Sequence, residues 1–82
     1  MSDGRRARAS DFNEDDRLIL SMLADNHGAD EIAEILGMPL ETTLRRIDHI
    51  LLMLAARSTG QAVAEAILIG LIGPGANRPS GE

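Results

Sequence analysis

The sequence predicts an all-α fold of four short helices, and three observations carry that prediction. Apolar residues recur at helical spacing from Phe12 to Ile72. Good capping residues, Asn13 and Ser58, stand in front of two of these stretches, and Asn or Gly follows most of them at Asn26, Gly37 and Gly70. The flanks, 1–11 and 73–82, have small and charged residues with no periodic apolar positions. The expected organisation is therefore a basic disordered arm over 1–11, one folded domain over 12–72 and a disordered tail over 73–82.

Phe12 and Asn13 open the first helix, expected over 14–25. Asn13 is a good N-cap with Asp16 at the third helical position, and acids fill the first turn, where the helix dipole favours them. Phe12 sits where a hydrophobic staple packs on Arg17 or Leu18. Ile19, Leu20, Leu23 and Ala24 form the inner stripe, with Leu18 and Met22 on a flank. Asn26 tolerates the left-handed conformation that ends helices, and His27-Gly28 completes the break.

The second helix spans 29–36, with Ile32, Ala33 and Leu36 inward and Asp30, Glu31 and Glu34 outward. Gly37 is the residue expected at a tight turn between helices, and Pro39 fixes the start of the third helix without supplying a capping side chain. That third helix, expected over 40–54, carries two stripes. Thr43, Ile47, Ile50, Leu51 and Leu54 make a core stripe, and Thr42, Arg45, Arg46, His49 and Met53 lie on the far side. The fourth helix, 59–69, follows a capping box of Ser58 and Gln61, buries Ala62, Val63, Ala66 and Ile69, and ends at Gly70.

With 82 residues the chain makes one small domain, which buries roughly 60% of the surface its unfolded chain exposes, so a second subunit covering apolar surface would add needed stability. There is no Cys, which excludes disulfides and thiolate metal sites. Arg5, Arg6 and Arg8 have no apolar run behind them, so no secretory signal is read there. The longest apolar stretch, Ala62 to Ile72, is interrupted by Glu65 and Gly70 and is about half the roughly 20 residues a membrane span requires. The expected location is the cytoplasm. His27 and His49 are the only histidines and are not spaced as ligand partners, so no metal site and no cofactor are expected. No motif places a nucleophile beside a base, and Asp48 and His49, as helical neighbours, point about 100° apart. An enzyme is not expected.

The order of these segments, with EIAEILGM at 31–38, ETTLRRIDHILLML at 41–54 and QAVAEAI at 61–67, resembles the LuxR-type (GerE-like) helix-turn-helix DNA-binding domain over residues 12–72. The resemblance implies a free-standing bacterial transcriptional regulator without a sensory domain, a homodimer that sets its third helix in the major groove and often pairs through its fourth. Carried over by position, it puts DNA contacts at Thr42, Arg45, Arg46 and Arg57, with His49 on the same face. Leu44 stands where that family usually has Lys, Ala29-Asp30 where it commonly has Asn-Lys, and Leu52-Met53 where it has a basic pair.

Charge sets a second function class beside the first. The net charge is -5, divided as about +1 over 1–11, -6 over 12–72 and 0 over the tail, and an acidic body repels polyanions. Leu40, Leu44, Leu52, Met53 and Leu68 are extra hydrophobes at positions that the resemblance implies are left wet in that family, and a contiguous exposed apolar patch marks a protein interface. The alternative is thus a helix-turn-helix fold redirected to protein contact, as an antiactivator or a subunit of a regulatory complex. No membrane and no small-molecule substrate is implied by either class.

Overall fold

Each of the four α-helices among the described residues starts after an extended residue and is closed by a left-handed one, and that alternation sets the architecture. The computed structural model describes residues 7–73. They form a 3-10 turn, Ala9–Asp11, followed by α1 (Glu14–Ala24), α2 (Ala29–Leu36), α3 (Leu40–Met53) and α4 (Thr59–Leu68), with no strand among the described residues. The residues just before the helices, Asn13, Gly28, Pro39 and Ser58, all have extended backbone. Asn26, Gly37, Ala55 and Gly70 close the helices at φ values of 66°, 69°, 54° and 78°.

The closures share one hydrogen-bond pattern. The N–H beyond each left-handed residue reaches back to a carbonyl five residues earlier: His27 to Met22 (3.0 Å), Met38 to Ala33 (2.9 Å), Ala56 to Leu51 (2.9 Å) and Leu71 to Ala66 (2.8 Å). This is the Schellman geometry, which satisfies carbonyls that the helix end leaves without partners. It also turns the chain within a few residues, so that four helices of eight to fourteen residues can pack back on one another.

The starts are capped by chemistry that was readable in the sequence, with one shift. Asn13 Oδ1 accepts from the Asp16 N–H at 2.9 Å while Asp16 Oδ2 accepts from the Asn13 N–H at 3.1 Å, a reciprocal capping box. Ser58 Oγ accepts from the Gln61 N–H at 3.2 Å, but Gln61 Oε1 takes the N–H of Arg57 (2.7 Å), so the reciprocal half of the expected Ser58/Gln61 box is displaced by one residue. At α3 Pro39 offers no side chain, and its carbonyl instead accepts from the Thr43 hydroxyl at 3.1 Å. That bond satisfies a hydroxyl that is otherwise fully buried.

Packing pairs α1 with α4 and α2 with α3, and α3 also touches α1 and α4. The core gathers Phe12, Ile19, Leu20, Ile32, Ile47, Ile50, Leu54, Ala62, Ala66, Leu71 and Ile72. Ile19, Leu20, Ile32 and Ile50 are completely enclosed. Truncating one such side chain to Ala costs about 2–5 kcal/mol, against roughly 5–15 kcal/mol for a whole domain, so the loss of any one of them removes a large share of the stability.

Three details differ from the sequence reading. Phe12 turns its ring into the core rather than lying as a staple on Arg17 or Leu18, both of which stay exposed. Within the arm expected over 1–11, residues 9–11 form the 3-10 turn, fixed by the Arg8 N–H on Asp11 Oδ2 (3.0 Å) and the Phe12 N–H on the Ala9 carbonyl (3.2 Å). The rest of the arm, residues 1–6, and the tail from residue 74 lie outside the described residues. The first, third and fourth helices each stop one residue earlier than expected, because Asp25, Leu54 and Ile69 already belong to the closing turns.

Ala55 is the alanine among the four left-handed positions, and it carries a Cβ clash that Gly would not. Relief of roughly 1–2 kcal/mol of strain, less about 0.5–1 kcal/mol for the freer unfolded chain, leaves Ala55→Gly more stable by about 0.5–1 kcal/mol. Thermal unfolding followed by circular dichroism should show a midpoint several degrees higher; an unchanged or lower midpoint would mean that the turn relaxes around Ala.

Candidate functional site

The outer surface of α3 is where the sequence places its chemistry, and helix geometry divides that surface into two ridges. Positions 41, 45, 49 and 53 follow one another at i, i+4 spacing, and positions 40, 44, 48 and 52 form the ridge beside them. The first ridge reads Glu-Arg-His-Met and the second Leu-Leu-Asp-Leu. Inside, Thr43, Ile47 and Ile50 are buried, so the helix cannot roll to hide either ridge.

Thr42, Arg45 and His49 are all exposed and lie on neighbouring turns of the same face. Arg45 makes no ion pair among the described residues, although Glu41 and Asp48 stand at its i−4 and i+3 positions. Arg57 is also exposed, in the turn between α3 and α4. The structure therefore brings Thr42, Arg45 and His49 together and leaves Arg57 beyond the far end of α3.

Arg46 has a different environment. Its guanidinium lies 3.7 Å from Asp16 Oδ1 and 3.8 Å from Asp15 Oδ2, both at the start of α1. It is about one-third exposed, and the Asp16 carboxylate beside it is nine-tenths buried. Nothing in the local sequence announces this contact, because it joins residues thirty positions apart.

The acidic excess of the domain is also placed. Glu14, Asp15, Asp16, Asp30, Glu31 and Glu41 all sit in first turns of helices, where unpaired N–H groups and the helix dipole stabilise negative charge. Much of the negative charge is thus committed to helix starts rather than spread over the surface. On α3 itself Glu41 and Asp48 balance Arg45 and Arg46.

The hydrophobes singled out for a protein interface are exposed to different degrees. Leu52 is 78% exposed, Leu68 72%, Leu44 48% and Leu40 47%, while Met53 is half-buried against the core. Leu18 is exposed as well. Ile35 on α2, at 60%, was missed by the sequence reading; its signal was there, since it falls outside the Ile32-Ala33-Leu36 stripe.

Ile35 borders an open depression of about 340 Å³ that His27, Glu31 and Glu34 also line. His27 Nδ1 lies 3.1 Å from Glu31 Oε1, which also accepts the Gly28 N–H at 3.2 Å, and His27 Nε2 lies 3.5 Å from Asp25 Oδ2. No group of residues arranged to hold a metal occurs among the described residues, and no helix there is long and apolar enough to cross a membrane. No protein-family model matches this chain, and no curated protein matches it.

The His27 hydrogen bond first, then the Gly28 N–H, hold the Glu31 carboxyl below its ordinary value of 4.5. A depressed carboxyl stabilises the fold at pH above its unfolded value and loses that contribution as pH falls through the folded value. Glu31→Gln should therefore flatten the acid limb of a stability-against-pH curve below about pH 4.5 while leaving the curve's shape near neutrality. Identical acid limbs for the two proteins would show that the contact has no thermodynamic weight, as exposed pairs often do not.

Proposed function

We propose that this protein is a small DNA-binding regulator of the LuxR-like helix-turn-helix kind, acting as a dimer with the outer face of α3 in the major groove. The observation that carries the reading is the exposed stripe of Thr42, Arg45 and His49 on a helix that follows a Gly37-centred turn and is fixed from behind by Thr43, Ile47 and Ile50. A helix presented in this way fits the major groove, where an arginine fork grips guanine or a phosphate with two bonds and a threonine hydroxyl or imidazole reaches a base edge or phosphate. Arg57, beyond the end of α3, is suited to a backbone phosphate, and the basic residues before Ala7 add charge to the same role.

The electrostatics explain why two copies are needed. One α3 carries no net positive charge, so a single protomer contributes few phosphate contacts and little of the affinity that counterion release supplies. Pairing doubles those contacts and reads two half-sites.

Arg45→Ala should abolish most retention on heparin and on mixed-sequence duplex DNA. It should also lower the slope of log affinity against log salt by about 1 for each protomer bound. A variant that binds with the parent's slope would remove Arg45, and with it this reading of α3.

A second reading is favoured by the Leu40-Leu44-Leu52 ridge: the fold docks on another protein, and its acidic helix starts keep DNA away. Because Leu44 and Leu52 are largely outside the core, Leu44→Glu with Leu52→Glu should leave the unfolding midpoint within a few degrees of the parent. Under this reading the pair abolishes co-purification with a partner protein or sedimentation as a larger species. Under the DNA reading it leaves heparin retention in place, apart from the effect of added negative charge.

A further inference from the structure

The contact between Arg46 and the start of α1 changes how the two neighbouring arginines of α3 divide their work. Asp16 is nine-tenths buried and has two separate duties. One oxygen, Oδ2, accepts the Asn13 N–H and completes the α1 cap; the other, Oδ1, faces the Arg46 guanidinium at 3.7 Å. A carboxylate removed from water to this extent is costly unless a cation compensates it. Arg46 is the cation there, and Asp15 at 3.8 Å holds it from a second side. Arg45, one position earlier and about 100° around the helix, is exposed and unpaired among the described residues.

We infer that Arg46 is a positioning residue that ties α3 to the capped start of α1, and that Arg45 is the cation of α3 that meets a polyanion. The inference rests on the DNA-binding reading for its second half only. Its first half, the tie itself, stands on the ion pair. Few other contacts join α1 directly to α3, whose closer partner is α2. A guanidinium at this seam therefore sets the angle at which the outer stripe is presented. Arg46 has already spent part of its charge on two carboxylates, so it adds little to the count of neutralised phosphates.

Two measurements on the full chain test this. In thermal unfolding, Arg46→Gln, Asp16→Asn and the double variant should be non-additive: the double variant loses clearly less than the two single losses together, because the second change removes a group whose partner is already gone. Additive losses would overturn the tie. In binding to a mixed-sequence 30-base-pair duplex, measured well below the unfolding midpoint with the fold checked by circular dichroism, Arg46→Gln should weaken affinity at a fixed salt concentration. It should keep the parent's salt slope, and Arg46→Lys should restore the affinity.

Arg45→Gln should lower that slope by about 1 per protomer. A slope lowered by Arg46→Gln would make Arg46 a phosphate contact and overturn the division. Full affinity in folded Arg46→Gln would overturn the positioning role. If the parent chain does not bind the duplex at any salt concentration, the DNA reading falls, and the unfolding cycle alone decides whether the tie exists.

Discussion

The constraint on which this small structure depends is the left-handed residue that closes each helix. Helices of eight to fourteen residues are marginal by themselves and persist because an apolar stripe is buried against neighbours. Burial on this scale requires the chain to double back after each helix, that is after roughly every two to four turns. Asn26, Gly37, Ala55 and Gly70 supply those reversals at the least length, and with them Ile19, Leu20, Ile32 and Ile50 converge on one point. Gly37 matters most for the outer face of α3, since it fixes where that helix begins relative to α2.

Given that frame, the surface of α3 follows from a simple limit: a helix can bury one stripe. Thr43, Ile47, Ile50 and Leu54 take it, and the remaining apolar residues must stay partly wet. The result is two ridges with different chemistry side by side, one holding Arg45 and His49, the other holding Leu40, Leu44 and Leu52. Charge is divided as firmly. Carboxylates collect in the first turns of α1, α2 and α3, where backbone N–H groups stabilise them, and one of those turns draws Arg46 to itself.

Most of the helix boundaries were legible in the sequence because they are encoded by single residues with one strong local preference. Asn13 with Asp16, Ser58, Gly37 and Gly70 each declare a helix end through hydrogen bonds or backbone freedom that act within five positions. Ala55 declared nothing, since alanine is an ordinary helix residue, and its left-handed backbone here goes with the bond from the Ala56 N–H to the Leu51 carbonyl. The candidate site was legible as a set of faces: periodicity put Thr42, Arg45 and His49 together on the outside. It could not separate Arg45 from Arg46, because that distinction comes from Asp15 and Asp16 across the fold. It also could not rank the outer apolar residues, since whether Leu52 or Met53 finds cover depends on which of them meets the core of the folded chain.

The exposed leucines are interleaved with acids, and this has a consequence for how the protein behaves in bulk. Asp48 sits inside the Leu40-Leu44-Leu52 ridge, and Glu34 and Glu31 flank Ile35. Like charge beside each apolar patch opposes contact between two copies of that patch. Acidifying the medium or adding salt weakens that repulsion, so contact through these patches is favoured at low pH and high ionic strength. Of these three carboxylates only Glu31 also serves a helix start, through the Gly28 N–H.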